Sequence, residues 1–204
     1  MNMRTFLLTA GLALASGAVA AQSYEIRYQD AYTTNYQTIA SDYGSIAGVI
    51  DLLNTTPGGT NLLFWADSYS GRPAAFSGDS SIGLITLTPA AGLTVTLDSF
   101  FLGSWPNINR NISYSIDDLA TPGLDISVNA ALVAGSTGLL VTPALTSATG
   151  LRISFGPDGY NGGINNIAFS IAAVPEPESY LILLAGLGVV GAIARRNRRS
   201  RAAT

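Results

Sequence analysis

Glycine and proline interrupt this chain so often that long regular elements cannot form between them. The sequence contains 22 glycines and 9 prolines, and many of them cluster at residues 57–59, 71–73, 89–92, 121–123 and 156–159. Such clusters favour turns, because glycine allows positive φ and proline fixes φ in advance. Between them lie short apolar or alternating runs, which are typical of strands. These runs are residues 24–28, 61–66, 82–88, 93–102, 111–116, 124–132, 151–155 and 164–171.

Short strands with frequent turns predict an all-β fold, and we expect residues 22–173 to form a single jelly-roll-like β-sandwich. A body of roughly 150 residues is one ordinary domain. One stretch differs, because Ile46, Val49, Ile50 and Leu53 recur with helical spacing. We therefore predict a helix over residues 41–53, although its two glycines weaken it.

The composition excludes many kinds of chemistry. The chain has no cysteine, histidine or lysine, and its ten basic residues are all arginine. Disulfides, thiolate zinc sites, Ser-His-Asp triads and lysine Schiff bases are therefore excluded. The adjacent acids Asp117 and Asp118 would face opposite sides of a strand, so they do not form a converging pair. We expect no enzymatic activity, with a glycosidase as the least favoured alternative.

Charge is distributed unevenly along the chain. Between residues 22 and 173, eleven acidic side chains face four arginines, which leaves this body with a net charge of −7. An acidic body repels the phosphate backbone of nucleic acids, so we expect no nucleic-acid partner.

The N-terminus has the pattern of an export signal. Arg4 precedes an apolar run over residues 6–19, and small residues follow at Ala18, Ala20 and Ala21. This order predicts a secretory signal peptide over residues 1–21, removed by signal peptidase after Ala20 or Ala21. An N-terminal anchor or a core helix is the alternative interpretation.

The C-terminus, residues 174–204, has three parts. Val174-Pro175-Glu176-Pro177 excludes helix and strand, because of its two prolines. The uncharged residues 180–194 would span only about 22 Å as a helix, and Ser179 and snorkelling arginines extend that reach towards a ~30 Å membrane core. We predict a transmembrane helix over residues 179–194, with its basic end in the cytoplasm. The basic cluster consists of Arg195, Arg196, Arg198, Arg199 and Arg201.

This three-part tail resembles the PEP-CTERM sorting signal. The resemblance implies recognition by exosortase, a membrane transpeptidase-like protease that cuts near the Pro-Glu-Pro. It further implies that the membrane holds the protein transiently, before delivery to the cell surface or extracellular matrix of a Gram-negative bacterium that makes exopolysaccharide. On this basis we expect a structural or adhesive biofilm protein. A carbohydrate-binding module for exopolysaccharide is the alternative function of the body. For the tail, the alternative is a plain single-span membrane anchor.

A second resemblance concerns residues 159–169, Gly-Tyr-Asn-Gly-Gly-Ile-Asn-Asn-Ile-Ala-Phe. They look like the last strand of many PEP-CTERM bodies, which are thought to be jelly-roll sandwiches related to carbohydrate-binding modules. An Asp-Asn-Ile is common where this chain has Asn165-Asn166-Ile167.

Aromatic residues supply the candidates for contact with sugars. Tyr24, Tyr28, Tyr32 and Tyr36 recur every four residues, so they would share one face of an extended strand. Such a stripe either packs on the core or forms a platform for sugar rings. Trp105 precedes Pro106 in a predicted loop and is the best single candidate, whereas Trp65 lies in an apolar run and is expected in the core. The candidate contacts are thus Trp105, Tyr28 and Tyr32.

Asp158, Asn161 and Asn165 follow a Gly-Pro-Asp-Gly turn and could supply oxygen ligands to Ca²⁺. Their spacing matches no calcium-loop motif, and turns favour Asp and Asn without any metal. We therefore expect no cofactor, with calcium as the alternative.

Overall fold

The computed structural model describes residues 21–79, 81–121, 125–174 and 185–190. The signal-peptide prediction therefore lies outside the described residues, apart from Ala21. In the described part, a 3₁₀ helix spans Tyr28–Asp30 between the first two strands. The strands are β1 Gln22–Ile26, β2 Gln37–Thr38, β3 Ile50–Thr55, β4 Leu63–Tyr69, β5 Arg72–Phe76, β6 Gly83–Pro89, β7 Leu93–Ser104, β8 Arg110–Asp118, β9 Ile126–Val133, β10 Leu139–Val141, β11 Leu145–Ser147, β12 Leu151–Gly156 and β13 Gly162–Ala173.

The strands form two antiparallel sheets, which confirms the all-β prediction. The first sheet has eight strands in the order β10-β7-β13-β5-β4-β2, with β1 also paired to β13 and β11 also paired to β7. The second has five strands in the order β3-β6-β12-β8-β9. The long strand β13 lies inside the first sheet, with β7 on one side and β1 and β5 in succession on the other.

Both sheets contribute side chains to one buried cluster. Alternate residues of β6 and β12 point into it from the second sheet, and alternate residues of β7 and β13 from the first, as the period of two predicts. Burying each large apolar side chain contributes roughly 1.5–3 kcal/mol. The buried members of the cluster all lie between Ile26 and Ile171, so the body contains its whole described core. They include Ile85, Leu87, Val95, Leu97, Ile153, Phe155, Phe169 and Ile171.

The predicted helix over residues 41–53 is wrong. Turns occupy this region as far as Val49, and β3 begins at Ile50. Gly44 and Gly48 have φ values of 95° and 73°, which a right-handed helix does not allow. The helical spacing of apolar residues arises because Val49 packs on the core from a turn, whereas Ile50 packs on it from a strand.

The prediction that four tyrosines share one strand face is also wrong. The chain leaves β1 after Ile26, and Tyr28 begins the 3₁₀ helix. Tyr28 and Tyr32 lie in the main core, where the Tyr28 hydroxyl donates to Asn54 Oδ1 at 2.8 Å. The Tyr32 hydroxyl accepts the backbone N–H of Ala40 at 2.9 Å. Buried rings present no face to a ligand, so Tyr28 and Tyr32 are removed as candidate sugar contacts.

Asn165 joins three parts of the body. Its side chain is only 1% exposed, and its Oδ1 accepts the backbone N–H of Tyr28 at 3.3 Å. Its Nδ2 donates to Gln29 Oε1 and to the carbonyl of Pro73, both at 2.9 Å. The amide therefore links β13 to the 3₁₀ helix and to β5, and its hydrogen-bonding groups are already engaged within the fold.

We predict that Asn165→Ala lowers the free energy of unfolding by about 3 kcal/mol, because it leaves several buried polar groups without partners. Denaturant unfolding measures the change. Thr88→Ala, at an exposed position of β6, is the control and should change stability by less than about 0.5 kcal/mol. The loss should be equal with and without calcium. A calcium-dependent loss, or a loss no larger than that of the control, would contradict this role.

Candidate functional site

The outer face of the first sheet carries a cluster of six aromatic rings, here termed the aromatic patch. Its residues are Tyr36, Trp65, Tyr69, Phe76, Trp105 and Tyr160. Tyr69 and Phe76 are buried at its base, the two tryptophans and Tyr160 are half-buried, and Tyr36 is 53% exposed. The patch is separate from the main core, because the first sheet lies between them.

Strand register places these rings outside. In the β4–β5 pair, Trp65 lies opposite Ala74, and Phe64 lies opposite Ala75. Phe64 and Ala75 belong to the main core, so their neighbours along each strand point to the other face. Trp65 is therefore a half-buried residue of the outer face, and its predicted place in the core is wrong.

Two glycines make room for the base of the patch. A Cβ atom on Gly163 of β13 would lie 2.7 Å from Ala74 Cβ and 2.8 Å from Tyr69 Cδ1. A Cβ atom on Gly103 of β7 would lie 2.5 Å from the Tyr69 carbonyl oxygen. Because neither position has a side chain, the Tyr69 ring packs directly on Gly163 of β13, and the Tyr69 backbone lies directly against Gly103 of β7. The Tyr69 hydroxyl then donates to the carbonyl of Tyr160 at 2.6 Å, which fixes the loop before β13.

The exposed rings hold one another at steep angles. Trp65 and Trp105 have centroids 6.3 Å apart and planes at 77°, and Trp105 and Tyr160 are 5.6 Å apart at 75°. Tyr36 meets Trp65 at 5.0 Å and 82°, and its hydroxyl lies 3.0 Å from that of Tyr160. Edge-to-face packing is a favourable arrangement of aromatic rings. The patch is therefore a preformed surface with ring faces in more than one direction.

The phenols of Tyr69 and Tyr160 stay protonated at neutral pH. Burial raises the pKa of the Tyr69 hydroxyl, and the hydrogen bond with Tyr36 raises the pKa of Tyr160. A raised phenol pKa keeps the neutral form dominant to higher pH, and the chain has no histidine that could titrate nearby. The Tyr69 hydroxyl therefore keeps the proton that it donates to the Tyr160 carbonyl, and the Tyr160 hydroxyl keeps its hydrogen bond with Tyr36.

Polar groups border the patch. The Trp65 indole N–H donates to Asp67 Oδ1 at 3.1 Å on one side. On the other side, Trp105 donates its backbone N–H to the carbonyl of Asn161 at 2.9 Å and accepts a hydrogen bond from Arg110 Nε. Beside Trp105 lies a cleft of about 360 Å³. Its lining residues are Asn109, Arg110, Asn111, Ile112, Gly156, Pro157, Asp158 and Asn161.

The predicted calcium ligands do not converge. Asp158 and Asn161 share a turn, in which the Asn161 amide donates to the Asp158 carboxylate. Asn165 lies in β13, and its amide oxygen is already bonded to the Tyr28 backbone. Asn165 is therefore not available as a third ligand beside Asp158 and Asn161. Among the residues that the structure describes, no group of three or more Asp or Glu side chains could hold a metal ion.

The adjacent acids Asp117 and Asp118 are engaged separately. Asp117 forms an ion pair with Arg152 at 3.3 Å. Asp118 accepts hydrogen bonds from Ser147 and Thr149 and from a backbone N–H, and these bonds hold the pKa of its carboxyl below the usual value. The two carboxylates therefore have different partners.

The described part of the predicted tail consists of Val174 and residues 185–190. Val174 is 38% exposed, and its N–H donates to the Gly92 carbonyl at 2.9 Å, where the chain leaves the end of β13. Pro175, Glu176, Pro177 and the arginine cluster lie outside the described residues, as does most of the predicted membrane segment. Residues 185–190 are helical. In the described ranges, no helix has the length and apolar character needed to cross a membrane.

Comparison with known proteins identifies the tail and says little about the body. Residues 173–199 match the family model of the PEP-CTERM protein-sorting motif, which confirms that the chain carries this motif. The search of curated proteins found no match. The body is similar to a solved exo-β-1,3-galactanase from Phanerochaete chrysosporium, with 15% identity and a TM-score of 0.29. That alignment covers 74% of this chain and only 29% of the galactanase chain.

Proposed function

We propose that this protein is sorted by exosortase to the surface of a Gram-negative cell or its biofilm matrix, where its body binds exopolysaccharide through the aromatic patch. The tail supports the first half of the proposal. The PEP-CTERM motif suggests an exported substrate of exosortase. The predicted signal peptide fits the same route, and the C-terminal segment holds the protein in the membrane until it is cut.

The main observation in support of sugar binding is the edge-to-face packing of Trp65 and Trp105 on the outer face of the first sheet. Sugar rings have apolar C–H faces and polar edges, so they match aromatic faces bordered by hydrogen-bonding groups. The patch supplies such a border through Asn161, Arg110 and Asp67. A structural or adhesive role in the matrix follows from this binding.

The charge around the patch favours neutral polysaccharides. Asp67 and Asp158 lie at its border, and the body carries a net charge of −7. This field repels polyanions such as alginate, and the single Arg110 in the cleft does not offset it. Neutral glycans avoid that repulsion, and their hydroxyl groups form hydrogen bonds to the polar groups at the border of the patch.

A jelly-roll-like β-sandwich is the architecture we assign to the body. The chain passes repeatedly between the two sheets, for example from β5 to β6, from β6 to β7 and from β7 to β8. Successive crossings of this kind are typical of Greek-key and jelly-roll sandwiches. We propose that such a body binds its ligand without catalysis, and that Asp117 and Asp118 stabilise the fold through their separate partners.

We predict that the purified body, residues 22–174, is retained on affinity gels containing neutral polysaccharide. Trp105→Ala and Trp65→Ala should each weaken retention about tenfold, since a lost stacking contact costs about 1–2 kcal/mol. The control is Leu53→Ala, an exposed apolar residue of the second sheet, which should bind as the wild type does. No retention on any neutral polysaccharide, or full retention of both tryptophan variants, would refute the sugar-binding proposal.

The sorting half has its own test. Replacing Pro175, Glu176 and Pro177 together with alanine should leave uncleaved protein in the membrane fraction of a host that contains exosortase. Mass spectrometry of both protein ends, together with cell fractionation, measures the processing. Pro57→Ala in an exposed turn of the body is the control and should be processed normally. Normal processing of the triple variant would count against sorting at this motif.

A further inference from the structure

One long segment of the body carries no charge. No charged residue occurs from Ile126 to Leu151, although the body as a whole carries a net charge of −7. This segment supplies β9, the last strand of the second sheet, and β10 and β11, which pair with β7 in the first sheet. Edge strands of both sheets in this segment therefore consist of uncharged residues.

The edge of β9 is open to solvent. Within the described ranges, β9 pairs with β8 and with no other strand. Leu132 is 64% exposed, and Ser127 and Asn129 are exposed as well. At the opposite edge of the same sheet, β3 is covered by the preceding loop, because Asn54 N–H donates to the Ser41 carbonyl at 2.7 Å and Leu52 N–H to Ser45 Oγ at 2.8 Å.

The charged residues and prolines that commonly protect an edge are absent from β9. Soluble proteins usually place lysine, other charges or proline on such a strand, and β9 contains none of them. Its one irregularity is a register shift opposite Ile112 and Tyr114, where Ala130 has a φ of 55°. The Ala130 N–H is turned inward to Ser113 Oγ at 3.1 Å. This bulge limits regular pairing to short segments on either side, which favours a small assembly over a fibril.

We propose that β9 pairs antiparallel with β9 of a second copy of this chain, which joins the two second sheets across a two-fold axis. A strand edge with open N–H and C=O groups is self-complementary under that symmetry. A second copy is the favoured occupant because its β9 presents the same uncharged edge, so two bodies of net charge −7 meet where neither strand carries charge. The pairing also covers exposed Leu132.

Self-association does not depend on sugar binding, but a dimer would bind polysaccharide more tightly than a monomer. If the aromatic patch binds polysaccharide, a dimer presents two patches to one polymer. The second contact then becomes intramolecular and raises the overall avidity.

The test uses the full chain in detergent micelles and measures the dimer dissociation constant by analytical ultracentrifugation. Asn129→Lys on β9 should raise this constant at least about tenfold, because it places a like charge on each of the two edges that must meet. Thr88→Lys introduces the same charge at an exposed site of β6, an inner strand of the same sheet, and should leave association nearly unchanged. An equal mixture of Asn129→Lys and Asn129→Asp chains should associate as tightly as the wild type.

Two results would overturn the proposal. One is a wild-type chain that stays monomeric at every concentration. The other is association that Asn129→Lys weakens no more than Thr88→Lys does, which would assign the contact to the tail or to another face. Polysaccharide retention is measured separately on monomeric Asn129→Lys. Normal retention of this variant shows that its weaker self-association is not a failure of sugar binding.

Discussion

The outer face of the first sheet depends on two positions that lack a Cβ atom. Gly103 and Gly163 leave space for Tyr69 to pack directly against β7 and β13, and a methyl group at either position would collide with it. Tyr69 in turn bonds the carbonyl of Tyr160 and supports Phe76, on which Trp65 and Tyr160 pack. Close packing allows little adjustment at such a contact. The first sheet therefore carries aromatic residues on its outer face as well as on the inner face that packs in the main core.

The orientation of β13 links this patch to the tail. The strand begins at Gly162, next to Tyr160, and ends at Ala173, directly before the sorting motif. Twelve residues at about 3.3 Å each place the patch roughly 35–40 Å from the point where the chain leaves the body. The patch is thus at the opposite end of β13 from the start of the tail.

Sequence periodicity predicted the inner face of the sheets and missed the outer one. Residues 82–88 and 151–155 correspond closely to β6 and β12, whose alternate residues enter the core. Trp65 was assigned to the core because alternation cannot tell which face is solvent when both are apolar. Trp105 was a candidate from its loop position, but its partners Trp65 and Tyr160 meet it only through long-range pairing. The spacing of Tyr28 and Tyr32 misled because a 3₁₀ helix interrupts the strand, and Asn165 resembled a ligand because its buried partners lie far away in sequence.

The most direct test of the account is the Gly163→Ala variant, with Gly58→Ala as its control, because an added Cβ at residue 58 would meet only Thr56 Oγ1 at 3.8 Å. Near-ultraviolet circular dichroism reports the fixed packing of the tryptophans, far-ultraviolet circular dichroism reports the strands, and gel retention reports polysaccharide binding. The account predicts that Gly163→Ala weakens the near-ultraviolet signal and the retention while the strand spectrum is kept, and that Gly58→Ala changes none of them. A Gly163→Ala protein with the wild-type near-ultraviolet spectrum and wild-type retention would contradict it.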